Sequence, residues 1–366
     1  MKKMIRVVCK KEKIVFVYLA FTLLLLFGFS VCSIYNGDLK ETTVAEDGLK
    51  DNSLEDTSKN SECEELVFSV ACSGNFPSEQ FERIGDFSNQ KIKINYYPNG
   101  ILGDDRTIIK GVQNGSISIM AGAPAGQIEV VPELALLDIP GVFKDIESCN
   151  EALMGELFHK FQTYYNKAGL ELLSYRTNGF RELTSNRAIY SVEDFKDLKI
   201  RTMENPYHEA YWKALGADVI SMPFGSIYFS LQQGKIHAQE NLLASAFRGN
   251  IPEVQKYLIY THHIPFINTY VMNKKLYDSL SKEEQRILKD FFTYQNDKAV
   301  ENSESDNKNY KDACIEEYGM QVIYPEETLL QQMEKANEEV IHMLKKDLGA
   351  EVVEEYLQII QKWRKQ

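Results

Sequence analysis

The sequence predicts an α/β protein built as two lobes, with a ligand cleft between the lobes and a long C-terminal helical segment. Two observations support this fold class. Short strand-like segments rich in Val, Ile and Tyr are separated by helical segments of about ten residues, which is typical of parallel sheets. This series begins near Leu66 and begins again near Asn178. Clefts between two lobes are common sites for small ligands, so we expect a binding site where the lobes meet.

The first lobe is predicted from the segment that follows Leu66. Turn residues separate its elements, as at Pro98-Asn99-Gly100 and Asn114-Gly115. The predicted strands are 66–71, 92–98, 116–120 and 170–175, and the predicted helices are 78–87, 104–113 and a long helix over 147–168.

The second lobe repeats this alternation, with predicted strands 180–185, 198–202, 218–223 and 320–324 and predicted helices 191–195, 207–217, 226–234 and 326–363. The predicted strand 268–273 returns to the first lobe. Ser281 and Glu284 form a capping box that predicts the start of a long helix towards Glu317.

These elements predict the domain boundaries. Lobe I comprises residues 64–178 plus 267–306, and lobe II comprises residues 179–266 plus 307–366 with the C-terminal helices. We expect the chain to pass between the lobes at hinges near 177–179 and 265–268, with a long helix spanning both lobes.

Residues 1–32 form a signal, lipoprotein or anchor segment. Six basic residues and one acidic residue precede a run from Ile14 to Tyr35 that carries no charge, which is the pattern of an export signal. Cys32 closes the segment 29–32, which resembles a bacterial lipobox except that Val31 stands where a smaller residue is usual. Cleavage, lipidation at Cys32 and retention as an uncleaved anchor all remain open. Residues 33–63 are polar and acidic and predict a flexible linker.

The charge balance argues against some partner classes. The chain has a formal net charge of −12, although its first 31 residues are basic, so the exported part is strongly acidic. Such a protein is a poor candidate for binding nucleic acid or anionic lipid surfaces. Of the six cysteines, two lie in the N-terminal segment; the spacing of the other four matches no zinc pattern, and we interpret these four as scattered core or surface thiols.

No catalytic signature is present: we find no nucleophile elbow, metalloprotease helix, phosphate loop or dinucleotide fingerprint. Two arginines instead stand at the ends of predicted elements, Arg181 in NGFREL and Arg201 in KIRT. A guanidinium offers a planar fork that matches a carboxylate. The alternative is an internal ion pair with a nearby acid such as Glu182, Asp194 or Glu204.

The segment Asn178–Asn241 resembles the DctP-family solute receptors of tripartite ATP-independent periplasmic (TRAP) transporters. It contains NGFREL, DLKIR, LGADVISMPF and a closing QEN, and the earlier YPNGILGDDR and PELALLDIPGVF are similar to the same family's first lobe. The resemblance extends from Leu66 to the C-terminus. It implies a periplasmic-binding-protein-like clamp, outside the cytoplasm, that delivers a small organic anion to membrane permease subunits, with no enzymatic activity, cofactor or metal.

The resemblance also implies roles for four residues. Arg201 is expected to form a bidentate salt bridge with the ligand's carboxylate, with Arg181 close to the same group. Asn241 is expected to hydrogen-bond that carboxylate and Phe224 to pack on the ligand. The alternatives are a helix-capping role for Asn241 and ordinary core packing for Phe224.

Departures from the family pattern affect the ligand's identity. Ser226 stands where the family often has Glu, and residues 236–238 read IHA where VDG is usual. The segment 122–127 lacks the acid and arginine typical of sialic acid receptors, so a sugar acid, dicarboxylate, or hydroxy or keto acid is expected instead. Two other functions stay open: a ligand-sensing receptor with the same clamp, and a tethered enzyme acting on a carboxylated substrate. A monomer is the default expectation, and a dimer remains possible.

Overall fold

The computed structural model describes residues 65–363, which form a mixed nine-stranded sheet with helices packed around it. The strands, in chain order, are β1 (Leu66–Ala71), β2 (Ile92–Tyr97), β3 (Ile119–Gly122), β4 (Leu170–Ser185), β5 (Lys199–Thr202), β6 (Asp218–Ser221), β7 (Ala238–Asn241), β8 (Tyr257–Asn273) and β9 (Gln321–Ile323). Their order across the sheet is β2-β1-β3-β8-β4-β7-β5-β6, and β9 pairs with β8.

The α-helices lie between and after these strands. They are α1 (Glu79–Glu82), α2 (Ile84–Ser88), α3 (Asp105–Asn114), α4 (Ile146–Met154), α5 (Glu156–Lys167), α6 (Pro206–Ala214), α7 (Ile227–Gln232), α8 (Leu243–Arg248), α9 (Lys274–Ser279), α10 (Lys282–Glu301), α11 (Ser303–Tyr318), α12 (Glu327–Lys335), α13 (Asn337–Leu348) and α14 (Ala350–Trp363). The predicted α/β class with C-terminal helices is confirmed.

Two long antiparallel strands, β4 and β8, run through the centre of the sheet and connect its two halves. The expectation of parallel sheets was therefore only partly right. The outer pairs β1–β2, β1–β3, β5–β6 and β5–β7 are parallel, whereas β3–β8, β4–β7 and β4–β8 are antiparallel. The two parallel groups face each other across this central ladder.

Two expectations for the central strands were wrong: β4 was predicted as two strands, and only the end of β8 was predicted. Asn178-Gly179 suggested a break between strands 170–175 and 180–185, but both segments belong to β4. The ladder absorbs the break as a register shift between Thr177 and Phe180, where Gly179 has a φ of 141°. Pro265 lies opposite Phe180 at this irregularity, where the missing N–H of proline is tolerated. Because β8 continues through Pro265, the predicted strand 268–273 is only the end of β8.

Three predicted long helices are each interrupted. The helix over 147–168 breaks at Gly155, the helix after Ser281 breaks at Asn302, and the C-terminal helix breaks near Ala336 and at Gly349. The capping box of Ser281 and Glu284 is confirmed.

Two of the C-terminal helices pack on helices that lie earlier in the chain. α13 packs on α6, and α14 packs on α4. The predicted lobe boundaries remain a prediction, and the register shift in β4 and β8 coincides with the predicted hinge positions. Of the residues described, Cys72, Cys149 and Cys314 are buried free thiols. None of the described helices is long and apolar enough to cross a membrane. The predicted anchor, Cys32 and the linker lie outside the described residues.

We predict that Gly179→Ala destabilises the protein. A Cβ at this position would lie 2.7 Å from Asn307 Nδ2 and 2.8 Å from Leu242 Cδ1, in addition to the strain of a positive φ. The matched control is Gly216→Ala, which has a φ of 93° but meets nothing within 4 Å. Gly216→Ala is expected to lower the free energy of unfolding by about 1–2 kcal/mol because of backbone strain. Gly179→Ala is expected to lower it by about 1–3 kcal/mol more because of the clash. Equal losses in urea unfolding would contradict this account.

Candidate functional site

A cavity of about 360 Å³ lies between the two halves of the sheet, beside the irregular centre of β4 and β8. This volume lies within the range of small-molecule sites. One wall comes from segments before the long central strands, including Ser73 and Asp105, and the other from segments after β4, including Arg201 and Asn241. All four residues predicted to bind the ligand line the cavity: Arg181, Arg201, Phe224 and Asn241.

Arg201 is a buried arginine whose charge has no carboxylate partner within salt-bridge distance among residues 65–363. It is the third residue of β5, and its side chain is 2% exposed. The Met222 carbonyl accepts hydrogen bonds from Nε at 2.9 Å and from Nη2 at 2.7 Å. Burial lowers the pKa of Arg201 to about 10, so the guanidinium remains charged at neutral pH. It is therefore positioned to receive an anion.

Arg181, in contrast, already has an acid partner. Its guanidinium pairs with the Glu240 carboxylate through Nε and Oε2, and Nη2 donates to Glu240 Oε1 and to the Glu240 carbonyl, each at 2.9 Å. Both side chains are buried. The acid partner is Glu240 on β7 rather than Glu182, Asp194 or Glu204, because the β4–β7 pairing brings β7 beside Arg181.

His263 completes this buried pair. Its Nε2 lies 3.2 Å from Glu240 Oε2, and its Nδ1 lies 2.8 Å from Thr261 Oγ1. Burial lowers the pKa of His263, so the ring is neutral at pH 7 and donates to Glu240 from Nε2. Burial opposes ionisation of Glu240, but the charge of Arg181 and the His263 hydrogen bond outweigh it and hold the pKa of Glu240 well below its ordinary value. Arg181 thus brings little net charge to the cavity.

Asn241 and Phe224 line the cavity and also make contacts within the protein. The Asn241 Oδ1 accepts from the Leu242 N–H at 2.9 Å, just before α8, so part of its amide serves the chain itself. Nδ2 donates to no described residue and remains available to an acceptor. Phe224 is partly buried beside Gly249, where an added Cβ would lie 2.9 Å from its Cζ, and it also packs on the small apolar cluster around Ile227.

Asp105 is a cavity residue that the sequence reading missed. Its Oδ1 is buried and has no hydrogen-bond partner in the described part of the chain. Burial raises the pKa of Asp105, while Ser73 and the charge of Arg201 act in the opposite direction. Gly126 permits this approach, because a Cβ there would lie 2.4 Å from the Asp105 Cβ. The sequence shows only that Asp105 follows Asp104, the residue that caps α3.

Two arginine contacts bridge the opening of the cavity. Arg106 Nη2 donates to the Glu204 carbonyl at 2.8 Å, and Arg248 Nη1 donates to the Asn75 carbonyl at 3.4 Å. Each contact joins a residue of predicted lobe I to a residue of predicted lobe II. The two walls of the cavity are therefore in contact at its rim.

The adjacent residues His262 and His263 face opposite sides of β8, as expected for a strand. His262 is 52% exposed, and its Nδ1 lies 2.7 Å from Glu182 Oε1. Burial lowers the pKa of His262, but the hydrogen bond and charge of Glu182 outweigh burial and raise it above the ordinary value. Among residues 65–363, no group of three or more His, Cys, Asp and Glu side chains is arranged to hold a metal.

Comparison with known proteins identifies a protein family that matches most of this chain. The DctP family model, described as bacterial extracellular solute-binding protein family 7, matches residues 80–355. A solute-binding protein of Verminephrobacter eiseniae is 33% identical over 201 residues, which are 55% of this chain and 60% of that protein. The 2,3-diketo-L-gulonate-binding periplasmic protein YiaO of Escherichia coli is 34% identical over 199 residues, 54% of this chain and 61% of that protein. The matched stretches thus span less than two thirds of these relatives.

Solved structures share the fold. The sugar acid binding protein DctPAm of Advenella mimigardefordensis, in complex with galactonate, superposes with a TM-score of 0.77 at 25% identity, covering 82% of this chain and 99% of that chain. A TRAP periplasmic solute-binding protein of Haemophilus influenzae with bound L-gulonate gives a TM-score of 0.76 at 25% identity, covering 82% of this chain and 100% of that chain.

We predict strong coupling between Arg181 and Glu240. Removing one partner of a buried ion pair leaves an uncompensated charge. Arg181→Met and Glu240→Gln are therefore each expected to lower the free energy of unfolding by about 3–5 kcal/mol. The double variant is expected to cost less than the two single losses combined. A urea double-mutant cycle measures this coupling. The exposed pair Arg286 and Glu283, substituted in the same way, serves as the control and should show no measurable coupling. Additive losses at Arg181 and Glu240 would contradict the pairing.

We also predict that His262 makes stability depend on pH. The folded pKa is raised, so its contribution is fully present below the unfolded value of about 6.5 and is lost as pH rises through the folded pKa. His262→Asn suits the φ of 44° at this position and removes the titration. Urea unfolding between pH 6 and 9 should show wild-type stability falling relative to the variant. A constant difference across this range would contradict the prediction.

Proposed function

Since this chain belongs to the DctP family of TRAP transporter solute-binding proteins, we propose that it binds a small organic acid in the cavity and delivers it to a membrane permease. The family is a receptor family rather than an enzyme family. In the proposed mechanism, Arg201 forms a bidentate salt bridge with the ligand's carboxylate. Asn241 donates Nδ2 to the same group, Arg181 lies beside it, and Phe224 packs on the ligand.

The observation that carries this proposal is the unpaired charge of Arg201. Burying an ion without a counter-ion is costly, and a native protein usually pairs or neutralises such a group. Arg201 is buried and charged and has no carboxylate within salt-bridge distance among residues 65–363, yet it lines a cavity. A ligand carboxylate supplies the missing charge. The two N–H groups committed to Met222 hold the guanidinium plane in place before the ligand arrives.

The surroundings of Arg201 favour an acid that also carries hydroxyl groups. Asp105 also lines the cavity, and its Oδ1 is buried without a hydrogen-bond partner in the described part of the chain. A hydroxyl next to the ligand's carboxylate would donate to this oxygen, whereas a bare hydrocarbon acid would leave it unpaired. This argument favours sugar acids and hydroxy acids among the candidate ligands.

Transport requires the cavity to open and close. The rim contacts of Arg106 and Arg248 are hydrogen bonds to backbone carbonyls, which are of modest strength and compatible with reversible opening. We propose that the ligand bridges the two walls and favours the closed form, which the permease subunits then bind. On this proposal the protein works outside the cytoplasm, tethered through Cys32 or an uncleaved anchor, and chemistry on the ligand is not part of its role.

We predict that Arg201→Gln abolishes tight binding of the acid. Loss of one partner from a desolvated charge pair costs about 2–5 kcal/mol, which corresponds to a loss of affinity of roughly thirtyfold to several thousandfold. A thermal-shift screen of the full chain in detergent against sugar acids, hydroxy acids, dicarboxylates and neutral sugars first identifies a ligand, and calorimetry then compares the variant with wild type.

The control for this experiment is Arg286→Gln, which removes one positive charge from an exposed site on α10. It should bind the acid with wild-type affinity. Unchanged affinity in Arg201→Gln, or thermal shifts with neutral sugars alone, would contradict the proposed anchor.

A further inference from the structure

Arg176 is a second arginine of the cavity wall that has no acid partner. It lies on β4, and its Nη1 donates to the Gln295 carbonyl at 3.3 Å. Its Cζ lies 5.6 Å from the centre of the Phe76 ring, and its Nε is buried without a hydrogen-bond partner. Burial raises the pKa of the neighbouring Tyr270, and the charge of Arg176 partly offsets that rise. No carboxylate among residues 65–363 forms a salt bridge with Arg176.

Two asparagines beside Arg176 also have unsatisfied polar atoms. Asn268 is the direct partner of Arg176 in the β4–β8 ladder, so the two side chains lie next to each other on one face. Asn268 Nδ2 and Asn178 Oδ1 are buried and lack partners in the described structure, although the two residues are only 4% and 8% exposed. All three residues line the cavity. Buried polar atoms are normally hydrogen-bonded, so three unpartnered ones together on the cavity wall mark a place suited to a polar ligand group.

This group is separate from the site around Arg201. The contacts of Arg176 are to Phe76 and to Gln295 on α10, both in predicted lobe I, whereas Arg201 is held by Met222 in predicted lobe II. Arg176 and Arg201 thus lie on opposite sides of the cavity, and neither has a carboxylate within salt-bridge distance among residues 65–363.

Charge compensation elsewhere in the cavity makes Arg176 unusual. Arg181 pairs with Glu240, and Arg106 lies 3.2 Å from a Glu129 oxygen. A guanidinium that served only to pack on Phe76 would not need to face the cavity together with the free amide donor of Asn268. The combination of Arg176 and Asn268 offers N–H donors suited to an anion, and Asn178 offers an acceptor for a hydroxyl.

We propose that Arg176, Asn268 and Asn178 form a second anion subsite, so that the ligand carries two anionic groups. Its first carboxylate binds Arg201, and a second carboxylate or a phosphate binds Arg176 and Asn268 at the other side of the cavity. A ligand held at both ends bridges the two walls. This inference rests on the proposed function, because it assigns the opposite end of the same ligand.

The experiment compares matched ligands that differ only in the second anionic group. The pairs are galactarate with galactonate, glucarate with gluconate, malate with 3-hydroxybutyrate, and 3-phosphoglycerate with glycerate, the last pair testing phosphate as the second group. Dissociation constants are measured by calorimetry at constant ionic strength with the full chain in detergent. In the pair whose members fit the cavity best, we expect the dianion to bind about tenfold to a hundredfold more tightly than the monoanion. This is the range for a hydrogen bond to a charged group.

The variant Arg176→Gln tests the residue assigned to this preference. It is expected to remove the advantage of the dianion and to leave the affinity for the monoanion nearly unchanged. Arg286→Gln, which removes a charge from an exposed position, should preserve the wild-type ratio. Unfolding in the absence of ligand checks that each variant folds, and the wild-type ratios stand even if Arg176→Gln does not fold.

The outcomes separate this inference from the proposed function. Wild type that binds every monoanion as tightly as its dianion, or an unchanged ratio in Arg176→Gln, would overturn the second subsite and leave the Arg201 anchor standing. Full affinity for both members of a pair in Arg201→Gln would overturn the proposed anchor, whatever Arg176 does.

Discussion

The antiparallel pairing of β4 with β8 is the constraint on which the rest of the structure depends. These two strands connect the parallel groups β1–β3 and β5–β7, and every hydrogen bond between them fixes how the two halves of the sheet meet. Arg176, Asn178 and Arg181 are brought to the cavity by β4, and Asn268 is brought there by β8. The same ladder contains the register shift near Gly179, so the most irregular backbone of the central strands lies next to the binding cavity.

The arginines of the cavity differ in how their charges are compensated, and we propose that this difference separates structural from ligand-binding roles. Arg181 has a buried carboxylate partner, itself held by a neutral His263, and it helps to fix β4 against β7. Arg201 is held by a backbone carbonyl, which orients the guanidinium without neutralising it. A carbonyl thus leaves the charge free to attract an anion, whereas a carboxylate consumes it.

Much of the fold could be read from the sequence because its signals are local. The turn at Pro98-Asn99-Gly100 and the capping box at Ser281 set element ends through short-range hydrogen bonds. β4 was predicted as two strands and only the end of β8 was predicted, because Asn178-Gly179 and Pro265 carry turn chemistry that the ladder absorbs as a local irregularity. Pairing partners far apart in the chain contribute the energy that overrides such local preferences.

The sequence by itself determined the α/β class, the family resemblance and the presence of Arg201 at the end of a strand, since each depends on residue type and near neighbours. Only the tertiary structure decided which arginine is neutralised. Glu240 lies 59 residues from Arg181 along the chain, and Asn268 lies opposite Arg176 only through the β4–β8 register. Charge compensation depends on distance in space and on burial, and neither is contained in the spacing of residues along the chain.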